Sequence, residues 1–123
     1  MSSYDNAILA DGPWEFYILN ELSGYAIDTQ GYGGNGVFGA GVTQGVPGLI
    51  SDRETAYRFS GAPTAIISTQ AQQPIVTGVG AMECLFSCSS FTDTPILLYD
   101  GWAGIGRGVS IRVRTDGLLK IND

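Results

Sequence analysis

From Trp14 onward, turn residues punctuate this chain about every eight to twelve positions, and only short apolar or alternating runs lie between them. That spacing leaves no room for long helices and predicts an all-β chain of the sandwich or barrel kind. The runs that read as strands are Trp14 to Leu19, Tyr25 to Ile27, Val37 to Ala40, Ala56 to Phe59, Ala65 to Ser68, Ala81 to Cys88, Ile96 to Tyr99, Val109 to Arg114 and Leu118 to Ile121. Ahead of them, Ser2 or Ser3 can cap a short helix from Tyr4 to Ala10, which Gly12-Pro13 stops. Residues 1–13 therefore read as a helix and lead-in, and 14–123 as a single sandwich domain, with no linker, composition shift or internal repeat. The glycine-dense stretch from Gly31 to Gly48, around Tyr32, Asn35 and Phe38, reads as an ordered surface loop.

The last hairpin can be read in register. Val109, Ile111 and Val113 alternate with Ser110, Arg112 and Arg114, and Thr115-Asp116-Gly117 turns the chain into Leu118 to Asn122. A two-residue turn would put Val113 opposite Lys120 and mix apolar with charged side chains on both faces. A three-residue loop with a left-handed Gly117 pairs Val113 with Leu119 and Ile111 with Ile121 inside, leaving Arg112 beside Lys120 and Arg114 beside Leu118 outside. In Ala81 to Cys88, Met82, Cys84, Phe86 and Cys88 share one face. Four residues along a straight strand separate the two cysteines by about 13 Å, too far for a disulfide, whose Cα atoms lie within about 7 Å. Buried free thiols are expected.

Composition removes several functions. The 123 residues hold 12 acids against 6 bases, a net charge of −6, which argues against an electrostatic nucleic-acid binder. No histidine is present, so the commonest general base and metal ligand is missing, and neither serine nor cysteine has an imidazole to activate it. Glycoside hydrolysis needs two carboxylates about 5 to 10 Å apart, and no strand offers acids at i and i+2 or i+4; Glu83 is alone on its run, and Glu15 and Glu21 flank another. No enzymatic activity, cofactor or metal is expected. Asp28 and Asn35 could offer oxygens to calcium, but the spacing of a dedicated site is missing, and Asp28 reads as a turn residue bonding amides two positions on. The basic start of a signal peptide is missing, no apolar run approaches the roughly 20 residues of a membrane span, and two cysteines are too few for a disulfide scaffold. The chain reads as a soluble protein made in a reducing compartment.

Two groups remain as candidate sites. Residues 1–100 hold two arginines against ten acids, whereas Arg107, Arg112, Arg114 and Lys120 gather near the end of the chain against two acids. The outward face of the last hairpin is thus a basic patch on an acidic molecule, suited to an acidic protein surface. Trp102, in Asp100-Gly101-Trp102-Ala103-Gly104, reads as a loop residue able to stack on a sugar, with Tyr32 as a second such aromatic.

The order of short motifs is also informative. Phe16 to Gly24, Ala26 and Asp28 with Gly31 and Gly36, Pro47-Gly48-Leu49, Ala56 to Gly61 and Met82 to Phe86 together resemble the first half of concanavalin A-like, laminin-G-like jelly-roll domains. With a short helix ahead of the first strand, the chain is similar to such domains in structural proteins of tailed-bacteriophage virions. The resemblance implies an antiparallel two-sheet jelly-roll sandwich. It also implies a virion protein, assembled in the host cytoplasm: a capsid cement or decoration subunit that binds coat protein, or a tail or fibre component. The alternative it implies is a carbohydrate-binding, lectin-like module for adhesion to a host surface. Family domains continue through further strands past the hairpin at Val109 to Ile121, so a chain ending at Asp123 is expected either to leave an apolar face or edge for a neighbouring copy or another virion protein, or to be a truncated member of the family. A homo-oligomer, with no nucleic-acid or membrane partner, is expected.

Overall fold

The computed structural model describes residues 1–51, 55–69, 81–89, 96–102 and 107–122. The chain divides into two compact units, Met1–Gln72 and Gln73–Asp123. Strands outweigh helix, and all the ladders described are antiparallel, in small sheets of two, two and three strands.

In the first unit, α1 (Ser3–Ala10) is closed at its start by Ser2, whose hydroxyl accepts the Asp5 amide while the Asp5 carboxylate accepts the Ser2 amide at 2.7 Å. This reciprocal box satisfies two of the donors a helix start leaves over. Asp11 caps the other end, ahead of Gly12 and Pro13. Next come β1 (Val37–Phe38), β2 (Val42–Pro47), β3 (Thr55–Phe59) and β4 (Ile67–Ser68). β1 pairs with β4 and β2 with β3.

Three sequence expectations are corrected here. Trp14 to Leu19 and Tyr25 to Ile27 form no ladder; each makes one isolated bridge, Tyr17 with Asp28 and Ala26 with Gly36. Side-chain carboxylates take amides that a ladder would have used: Phe16 donates to Asp28, Ile27 donates to Glu21, and Leu19 turns the backbone left-handed at φ 59°. Conversely, β2 lies inside the stretch expected to be loop. Its register with β3 slips by one residue between Thr43 and Val46, where Gly45 sits at φ 71°; half-buried Val42, Gln44 and Val46 alternate with exposed residues, but a polar Gln44 on the inner side, bonded to Tyr57, obscures that alternation in the sequence. The core of this unit is built of small contacts. Ala26 and Ile18 are buried, and a Cβ on Gly36 would lie 3.2 Å from Ala26 Cβ and 2.6 Å from Ile67 Cγ2, so only glycine fits the bridge.

In the second unit, β5 (Ile96–Trp102), β6 (Arg107–Val113) and β7 (Leu119–Asn122) form one sheet in the order β5-β6-β7. The hairpin register is the expected one: Ile111 faces Ile121, Arg112 faces Lys120 and Val113 faces Leu119. Gly117 is left-handed at φ 81°, its amide donates to the Arg114 carbonyl, and the Arg114 amide donates to the Leu118 carbonyl. Residues Ala81 to Ser89 form no ladder, so the strand expected there is also corrected. Met82, Cys84 and Cys88 are half-buried with exposed residues between them, while Phe86 departs from the alternation and is exposed. Both cysteines are free, and half-buried rather than buried. Burial, with the neighbouring Glu83 charge second, pushes the Cys84 thiol up.

Candidate functional site

The hairpin satisfies its own pattern only in part. Val113 is 1% exposed and Ile111 half-buried, but their partners across the ladder, Leu119 and Ile121, are 62% and 73% exposed. The expectation that all four lie inside is therefore corrected at β7. This strand pairs with β6 and, among the described residues, with no other strand, so it stands as an edge with two large apolar side chains in the open.

The other face of the hairpin holds the charges. Arg112 stands directly opposite Lys120, a like-charged pair that costs a sheet about 0.2–1 kcal/mol relative to a neutral one. The Arg112 Nε–H donates to Ser110 Oγ at 3.2 Å, and Ser110 itself is buried. Arg114 reaches the Asp116 carboxylate of its own turn at 2.9 Å, so its charge is partly balanced at home. Leu118, in step with Lys120, is 61% exposed on this face. Arg107 is the first residue of β6. Trp102 is the last residue of β5, paired with Arg107 in register, and not a loop residue as the sequence predicts.

The first unit presents an aromatic surface. Tyr32 stacks on Trp14 with ring centroids 4.8 Å apart and 23° between planes. The rings are 62% and 50% exposed. The loop that holds Tyr32 is pinned from beneath by Asp28, which is buried and accepts amides from Phe16, Gln30 and Gly33 at 3.0, 3.1 and 2.9 Å. Both carboxylate oxygens face N–H donors, which is the turn role expected of this residue and the wrong surrounding for a cation. Tyr17 donates to the Gly34 carbonyl at 2.7 Å. Burial, then the charges of Glu15 and Asp28, push its phenol up to about 12. The Glu15 side chain packs close over Gly33, the residue after Tyr32, which places an acid near the aromatic pair. Sequence reasoning missed Trp14 in this role by placing it in a strand; an aromatic immediately after Gly12-Pro13 was the available signal.

A second polar cluster ties the β2–β3 ribbon to the chain before it. Tyr57 donates to Glu21 at 2.7 Å and receives Gln44 Nε2 at 2.6 Å, while Thr55 bonds the Asn20 carbonyl at 2.8 Å. Burial, then the hydrogen bond to Glu21, push Tyr57 up to about 12. An open hollow of about 360 Å³ lies beside Val37, Phe38, Ala40, Pro63 and Ile66, lined mainly by apolar groups. Among the described residues no three metal-ligating side chains cluster, and no helix is long and apolar enough to cross a membrane. No protein-family model, curated protein or solved structure matches the chain.

Proposed function

We propose that this chain is a non-enzymatic structural protein of a tailed-phage virion, a capsid cement or decoration subunit that attaches to coat protein through its β6–β7 hairpin. The observation that supports this most is the open edge strand, with Leu119 and Ile121 more than half exposed opposite buried or half-buried partners. An exposed apolar edge is a hazard for a solitary domain and a ready contact for an assembled one. Arg112 and Lys120 on the opposite face steer the hairpin toward acidic protein surface. We read the small antiparallel sheets as parts of a jelly-roll sandwich. The decisive experiment mixes the full chain with undecorated capsids of its own virus. Saturable, stoichiometric binding is expected, and a chain that leaves the capsids bare contradicts the reading.

The exposed Trp14–Tyr32 stack favours a second reading, a carbohydrate-binding module, because flat aromatic faces are what sugars stack on. A glycan array separates the two: a reproducible hit in a chain that ignores capsids favours the lectin.

A further inference from the structure

Two surfaces of opposite character, each combining exposed with half-buried side chains, stand on the two units. On Met1–Gln72, the Trp14–Tyr32 stack lies beside the half-buried Glu15, in a unit whose sequence holds seven acids and two arginines. On the hairpin, one face combines Arg112 and Lys120 with the exposed Leu118. Each surface offers what the other lacks.

We propose that the basic face of the hairpin in one copy docks on the Trp14–Tyr32–Glu15 surface of a second copy. Arginine and lysine are attracted to the faces of tryptophan and tyrosine, and the attraction grows as the contact is dried. Glu15 adds a complementary charge, and Leu118 adds apolar area against the rings. The aromatic side is held ready, because Asp28 and Tyr17 already fix the loop around Tyr32, so little ordering remains to oppose the contact. The like-charged pair of Arg112 and Lys120, unfavourable in the isolated hairpin, is relieved by an acidic partner. This inference rests on the reading of the hairpin as the attachment element and names the acidic surface that its charged face meets; Leu119 and Ile121, on the other face, are left for coat protein.

Contact between two unlike surfaces leaves one of each unused on every pair, so it propagates into rings or filaments. Sedimentation velocity of the full chain in low salt tests this with two variants, Arg112→Glu and Tyr32→Ala, each first checked for folding by circular dichroism. The wild type is expected to sediment as species larger than the 13.0 kDa chain, and each variant alone to associate at least tenfold more weakly. Mixed together, the two variants are expected to form one-to-one dimers and nothing larger, since each contributes its one intact surface. A monomeric wild type overturns the proposal, as does undiminished association of Tyr32→Ala or a mixture that stays monomeric. A chain that is monomeric in solution yet still covers capsids removes this inference and leaves the attachment reading standing.

Discussion

Val113 and Leu119 are partners across the last hairpin, yet Val113 is buried and Leu119 lies open to solvent. The same inequality recurs one pair along, between half-buried Ile111 and exposed Ile121. The alternation that sets the register therefore continues past the covered part of the sheet and ends in a strand with nothing over it among the described residues. An apolar pattern kept where folding does not use it is the physical basis for treating β7 as a contact strand.

The charged face of the hairpin separates stability from attachment. Arg112→Glu converts a like-charged cross-strand pair with Lys120 into an opposite one but gives up the Nε–H bond to Ser110, so stability should change by no more than about 0.5 kcal/mol. The same change should weaken association between copies and flatten its salt dependence. Urea melts and sedimentation velocity at two salt concentrations check both; a folded variant that keeps its self-association contradicts the assignment.

Asp28 should be among the most sensitive positions in the first unit. Its carboxylate gathers three amides, from Phe16, Gln30 and Gly33, and Asp28→Ala leaves one buried and two part-buried donors unmatched at a cost of about 3 kcal/mol. Asp28→Asn keeps one acceptor oxygen and should fall between the variant and the wild type. Denaturant melts report the difference, and a loss below about 1 kcal/mol for alanine would mean the loop finds other partners.

Alkaline pH should weaken the contacts of Tyr57. Burial, then the hydrogen bond to Glu21, push its phenol up from the ordinary 10.0 to about 12. Below pH 10 both folded and unfolded chains keep the proton, and the contribution of Tyr57 is whole. Between pH 10 and about 12 the unfolded chain ionises first, so stability falls as pH rises. Tyr57→Phe should cost about 1 kcal/mol near pH 8 through the lost bonds to Glu21 and Gln44. It should also show a shallower decline in urea midpoint above pH 10; equal slopes in the two proteins would refute the assignment.

The parts legible in the sequence are those governed by neighbours in the chain. Ser2 or Ser3 ahead of Tyr4 to Ala10 declares a helix start, which the structure assigns to Ser2, and Gly117 with the flanking alternation declares both a bulged hairpin and its register. The parts that were hidden depend on distant partners. Asp28 and Glu21 take the amides of Phe16 and Ile27 and dissolve two expected strands, while a polar Gln44, turned inward to Tyr57, conceals the alternation of β2. Tyr32 was visible as an aromatic in a glycine loop, but its stacking partner Trp14 lies across a turn that periodicity does not report. The openness of β7 was invisible for a related reason, since alternation tells which side chains share a face and not whether anything covers it.

The most direct measurement compares the wild type with Leu119→Lys/Ile121→Lys for affinity toward undecorated capsids, with thermal melts as the control for folding. Both side chains are already exposed, so the melting midpoint should move by only a few degrees. If β7 is the contact strand, losing the burial of two large aliphatic side chains should weaken attachment by about a hundredfold or more. An unchanged affinity in a folded double variant would contradict the account.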